Sequence, residues 1–268
     1  MAPLDPTASA SHLATLSREP FRPFHTYKQN PSWLAVEPLG GTTIQQRPRP
    51  LDTGGSATDG LDDVQCDNVN ARPIHITTEL VPVTYKASSA ATKRIHSANS
   101  PKYDLVVHVG VGLSGAIKLE RRARKLGYDK ADVDNELAPR NALGQRGFVD
   151  SEFERFAQEI RTDVNVDKVV AWCKTHGGVT QIKDSDDAGL YLCEFTLFGS
   201  LARSRIRAQH SGASDNSATE SSQSTPVQFI HVPPLAPGEP YDVKQLTAAI
   251  RLILWAMVNE GGLDRVER

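Results

Sequence analysis

The chain has 268 residues, with 30 Lys+Arg against 32 Asp+Glu and a net charge of −2. That length suffices for one full hydrophobic core without requiring a second domain. The balanced charge argues against a nucleic-acid binder that works through a basic excess. No apolar run approaches the roughly 18 residues of a membrane span, and the start, "MAPLDPTASASHLATLSREP", lacks the basic and apolar regions of a secretory signal. The cysteines, Cys66, Cys173 and Cys193, are odd in number and scattered, with no CxxC. That usage fits a reducing compartment and a cytoplasmic location, with neither a disulfide framework nor a zinc site.

In chain order, residues 1–20 read as an atypical N-terminal segment and a candidate for disorder. A single domain covers 21–268, with polar insertions at about 44–70 and 208–226. "IHITTELVPVTY" (74–85) alternates as a strand does, and a helix candidate follows at 86–98. "YDLVVHVGV" (103–111) is a nearly continuous, β-branched apolar run that suits a central strand covered on both faces. "SGAIKLERRARKLGY" is helical or partly extended. "SEFERFAQEIRT" and "VDKVVAWCKTHGG" read as helices, the second stopped by its glycine pair. "GVTQIKDS" is a strand, "LYLCEFTLFGSLARSRIRA" a heavily buried helix, "VQFIHVP" (227–233) a strand and "DVKQLTAAIRLILWAMVNE" (242–260) a closing helix. The alternation predicts an α/β fold, a three-layer α/β/α sandwich around a mostly parallel mixed sheet.

Gly110, Gly112 and Gly115 satisfy GxGxxG directly after a strand, with Asp132 and Asp134 about twenty residues on, as a dinucleotide site requires. The acidic residues, however, lie in the polar "YDKADVDNELAPRN" rather than at the end of a second strand. The glycines therefore read as a tight turn in which backbone approaches something closely.

A cysteine nucleophile needs a favoured thiolate, a base within reach and a third group that fixes the base. Cys193 lies at the beginning of a helix, whose partial positive charge favours the thiolate. His231 ends a strand before a Pro pair, where sites of open α/β sheets gather, whereas His108 lies mid-strand and reads as a core group. Glu120 follows the central strand, although amid "ERRAR" the default reading is a solvated surface charge. Cys173 in "VVAWCK" reads as structural, and Cys66 as an exposed loop residue.

"DLVVHVGV", "IKLERRARKLGY", "DAGLYLCEFTLFGSL" and "FIHVPPL" with a trailing "QLTAAIRLI" resemble, in that order, pyroglutamyl peptidase I, over about 30–260. The resemblance implies a cysteine peptidase that removes an N-terminal 5-oxoproline from peptides, with no metal and no cofactor. Carried over residue by residue, it gives Cys193 as nucleophile, His231 as base and Glu120 as the acidic third member. Phe21, Phe24, Asn30 and Tyr191 would wall the lactam. The implied partners are peptides with N-terminal pyroglutamate, and a monomer is expected. The family opens with an apolar strand ending in Gly before the first Phe, where this chain has "SHLATLSREP". In a second register "REPF" matches the family's "GFxPF", which leaves Arg18 in the first aromatic position. That departure sets up a second expectation, a catalytically impaired relative acting as a binding protein.

Overall fold

A computed structural model describes residues 9–16, 30–51, 63–64, 71–212 and 223–263. The described elements, in chain order, are β1 (Ser9–Leu16), α1 (Pro31–Val36), β2 (Thr43–Ile44), β3 (Arg47–Pro48), β4 (Asp63–Val64), β5 (Ile74–Val81), α2 (Tyr85–Ile95) and β6 (Leu105–Val111). They continue with β7 (Ile117–Glu120), β8 (Arg122–Arg124), β9 (Glu159–Arg161), α3 (Val166–Thr175), β10 (Ile182–Ser185), α4 (Leu192–Gly212), β11 (Val227–Val232) and α5 (Val243–Asn259).

Seven strands form one sheet in the order β10-β7-β11-β6-β1-β5-β2. Its pairs are parallel except β11 with β7 and β2 with β5. Strand periodicity sorts the side chains into two cores. Leu105, Val107 and Val109 of β6, Ile117 and Leu119 of β7, and Ile230 and Val232 of β11 pack with α1, α3 and α5. Val106 of β6 and Val227 and Phe229 of β11 pack with α2 and α4 on the other face. The three-layer sandwich follows from this alternation.

Helix starts are capped as their sequences allow. Thr84 accepts the Ala87 N–H ahead of α2 and Asn165 that of Lys168 ahead of α3, while Asp242 and Gln245 form a reciprocal capping box on α5.

Four expectations change. β1 lies between β5 and β6, with Ser9–Leu16 facing Ile74–Val81 residue for residue. The N-terminal stretch thus supplies a central strand although its sequence shows little apolar character. Residues 151–162 are not a helix: a 3-10 turn (Ser151–Phe153) leads to β9, which pairs antiparallel with β8. Phe153, Phe156 and Ile160 mimic helical spacing, but Ile160 is the buried centre of a strand whose neighbours are exposed. The segment left open between helix and strand is extended, as β7 and β8. Helix α4 runs to Gly212, into what reads as the second polar insertion.

Candidate active site

Strand parity builds the site. On β11, His231 points to the same face as Val227 and Phe229; on β7, Lys118 and Glu120 point opposite to Ile117 and Leu119. β7 runs antiparallel beside β11, pairing Phe229 with Glu120 and His231 with Lys118. Glu120 therefore lies inward of the sheet rim, beneath His231. Its side chain is 0% exposed, so it is not a solvated surface charge. His231 Nδ1 and Glu120 Oε1 are 2.8 Å apart. The second carboxylate oxygen, Oε2, has no hydrogen-bond partner among the described residues.

The third member arrives from the helix layer. Cys193 is the second residue of α4 and is half-buried. It lies over the β6 position that pairs with His231, and that position is Gly110. A Cβ at Gly110 would come 3.2 Å from Cys193 Sγ and 2.9 Å from Phe229 Cζ. At Gly112 it would come 2.9 Å from His231 Cβ. The first two glycines of GxGxxG thus serve a close approach of backbone to Cys193 and His231. The acidic partners of that motif serve elsewhere: Asp132 accepts the N–H groups of Tyr85, Asp134 and Glu136 and organises a turn.

Burial alone would depress the His231 pKa, but it is outweighed by contact with Cys193, through charge and a side-chain hydrogen bond, and by Glu120. The result is a value raised to about 9. With Nδ1 committed to Glu120, Nε2 is the ring nitrogen left to face the thiol. The contrast with His108 is plain: that residue is buried on β6 and stacked on Phe229, as a core group.

A small hollow opens beside Cys193, lined by Asn30, Val83, Gly110, Val111, Tyr191 and Leu192. Asn30 caps α1, accepting from the N–H and hydroxyl of Ser32. The Tyr191 hydroxyl donates to the Ala131 carbonyl at 3.1 Å, and its ring meets Tyr85 edge-on. Asn30 and Tyr191 both line this hollow beside Cys193. Phe21, Phe24 and Cys66 lie outside the described residues. The described chain leaves β1 at Leu16, whose end of the strand also carries the β6 rim, and returns at Asn30 in the hollow.

No family model matches the chain. It is 29% identical to pyroglutamyl-peptidase 1 of Rattus norvegicus over 248 residues, 92% of this chain and 90% of that protein. The human protein of the same name is also 29% identical, over 89% of this chain and 87% of its own. Among solved structures, pyroglutamyl peptidase I of Bacillus amyloliquefaciens superposes with a TM-score of 0.63 at 18% identity, covering 96% of this chain and all of that one. The fold is that of pyroglutamyl peptidase I. Pyrrolidone carboxyl peptidase from Fervidobacterium islandicum gives a TM-score of 0.60 at 21% identity over 93% of this chain. The similarity to pyroglutamyl peptidase I therefore spans both the strands and the helices that hold Cys193, His231 and Glu120.

Two polar residues escape the sequence reading. Glu194, next to Cys193, is 1% exposed, and Arg124 on β8 reaches it with both backbone and side chain. A carboxylate within the apolar first half of a buried helix was the available signal. Its partner, seventy residues earlier in a run of arginines, carried none.

Proposed function

We propose that the chain is a cysteine peptidase that removes an N-terminal pyroglutamyl residue from peptides, with Cys193 as nucleophile, His231 as general acid and base, and Glu120 as its orienting partner. The observation that carries the reading is the 2.8 Å contact between His231 and Glu120, on the face that Cys193 covers. Glu120 fixes the imidazole tautomer, which leaves Nε2 to take the thiol proton. The Cys193 sulfur attacks the carbonyl carbon that joins the 5-oxoproline ring to the next residue. Negative charge develops on that oxygen close to the first turn of α4, whose N–H groups are oriented to receive it. His231 then protonates the departing amine, leaving a thioester. Water, losing its proton to His231, hydrolyses the thioester and restores the thiol.

The ligand is a flat, uncharged lactam, which calls for apolar walls and a few edge-on polar groups. Val83 and Tyr191 offer such walls and Asn30 a polar edge, and we assign Phe21 and Phe24 to the same task. Similarity over nine-tenths of the chain to proteins named pyroglutamyl-peptidase 1 favours the enzyme over an inactive binding relative. The inactive reading rests on an altered first strand and an altered pocket segment; the strand, β1, is paired on both edges, and the pocket segment at Phe21–Phe24 lies outside the described residues. Among the described residues no helix is long and apolar enough to cross a membrane. We place the protein in the cytoplasm, where unpaired Cys173 and Cys193 stay reduced, and read it as a monomer acting on peptides with N-terminal pyroglutamate.

The purified chain should release the fluorophore from a pyroglutamyl aminocoumarin amide and leave the prolyl analogue, which lacks the lactam carbonyl, far less cleaved. Absence of turnover on the pyroglutamyl amide, or turnover that survives Cys193→Ala, would defeat the assignment.

A further inference from the structure

The turn that delivers Cys193 is strained. Gly189 has φ 98° and Leu190 φ 45°, two consecutive residues in the left-handed region directly before α4. Leucine enters that region only at a cost, because its Cβ crowds the backbone. A third left-handed residue, Gly127, makes room for it, since a Cβ there would lie 3.3 Å from Leu190 Cδ2.

Two carboxylates hold this turn, and one arginine holds both. Glu194 Oε2 accepts the Leu190 N–H at 2.8 Å and Arg124 Nη2 at 2.8 Å. Glu194 Oε1 accepts the Arg124 N–H at 2.9 Å and Arg124 Nε at 2.6 Å. Each oxygen thus receives two donors, which fills the carboxylate's acceptor sites. Asp187 accepts the Gly189 N–H at 3.2 Å and also contacts Arg124 Nη2. Arg124 itself is fixed by β8, and its carbonyl accepts the Tyr128 hydroxyl. A bidentate guanidinium–carboxylate pair holds geometry as well as charge, and here its far end is the peptide unit three residues before the nucleophile.

Resting on the peptidase reading, we propose that Arg124 and Glu194 form a positioning unit: they lock the Gly189–Leu190 turn and so hold the Cys193 sulfur in register with His231. Neither touches the reacting atoms. Charge alone and positioning predict opposite signs. Removing a carboxylate next to a thiol speeds its alkylation if charge is all that matters, because the thiolate gains. If position matters, the same change slows both alkylation and turnover, because the sulfur drifts from its base.

The test measures kcat and KM on a pyroglutamyl aminocoumarin amide, the rate of Cys193 alkylation by iodoacetamide followed on its peptide by mass spectrometry, and Tm. For Glu194→Gln we expect kcat and alkylation to fall by about tenfold to a hundredfold, as misplacement of a reacting group does, with KM within about twofold. Arg124→Met should act in the same direction and Arg124→Lys should retain more of both rates. Leu190→Gly introduced into Glu194→Gln should recover part of the loss, because glycine adopts the turn without restraint. Unchanged rates, faster alkylation, or a fall in Tm alone in Glu194→Gln would overturn the proposal. Should that variant not fold, Arg124→Met, altered at a part-exposed site, decides by the same criteria. Should the wild type cleave no pyroglutamyl amide, the peptidase reading fails while the alkylation series still decides the role of the pair.

Discussion

Two cysteines sit on two helices of this molecule and could hardly differ more. Cys173 lies in the second half of α3, fully buried among Val169, Trp172 and Val179. Burial pushes its thiol up to about 12, so it remains a small apolar filler. Cys193 occupies the first turn of α4, half-buried, above a glycine and beside an imidazole. The helix is common to both; what separates them is the position along it and what the sheet presents below. Reactivity belongs to the junction of α4 with β6 and β11, and the side chain alone does not carry it.

Substitution of the two sulfurs sharpens the comparison most. Cys193→Ala should reduce kcat on a pyroglutamyl amide by at least about 10³-fold, the scale of losing a covalent nucleophile. Cys173→Ala should leave kcat unchanged and cost on the order of 1 kcal/mol in stability, through a small cavity. Equal effects at the two positions would erase the distinction. Iodoacetamide should likewise label Cys193 in the native chain and reach Cys173 only after denaturation.

The next largest effect tests what stands behind Cys193 and is lacking behind Cys173. Glu120→Gln keeps the shape and the hydrogen-bond acceptor but loses the charge that holds the imidazole in its useful tautomer. A drop of about 10² to 10⁴ in kcat is expected, with little change in KM. A loss below threefold would mean that Glu120 only fills space.

Much of this was legible. The continuous apolar runs at 105–111 and 227–232 announce central strands because strands covered on both faces carry no polar alternation. Cys193 and His231 could be picked from their places at a helix start and a strand end. Glu120 could be reached only by resemblance, because its burial comes from β7 pairing antiparallel with β11, a contact over a hundred residues long in sequence. The Arg124–Glu194 pair has the same non-local origin. β1 was opaque for a different reason: "SASHLATL" is weakly apolar, and its place is set by backbone pairing with β5 and β6. Residues 151–162 misled because three apolar side chains at spacings of three and four fit a helix face as well as they fit a turn followed by a strand.

The floor beneath the sulfur can be broken more gently. Gly112→Ala would place a methyl group 2.9 Å from His231 Cβ, and Gly110→Ala one 2.9 Å from Phe229 and 3.2 Å from Cys193 Sγ. Neither neighbour can retreat through the packed sheet, so each substitution should cost roughly 1–3 kcal/mol. The displaced imidazole or sulfur should lower kcat about tenfold or more, by misplacement. Alanine at Gly115, where a Cβ meets nothing within 4 Å, would be strained only by its φ of 98°. It should therefore cost some stability and spare kcat. Activity at Gly112→Ala equal to wild type would show that the glycine is needed for the turn alone.

The smallest expected effect is a pH dependence that distinguishes the two cysteines through His231. The imidazole's folded-state pKa, about 9, lies above its ordinary 6.5. The native state therefore holds this proton more tightly than the unfolded chain does. Its contribution to stability is complete below about pH 6.5 and is lost as pH rises through about 9. Neutral His231 still donates Nδ1–H to Glu120, so what is lost is the charged part of its contacts. Since contact with Cys193 is the leading influence raising that pKa, Tm followed from pH 6 to 9.5 should fall less in Cys193→Ala than in the wild type. Cys173→Ala, lying in the opposite core layer, should track the wild type across the whole range. If all three chains lose stability in parallel, His231 is not coupled to the sulfur above Gly110, and the difference between the two cysteines reduces to exposure alone.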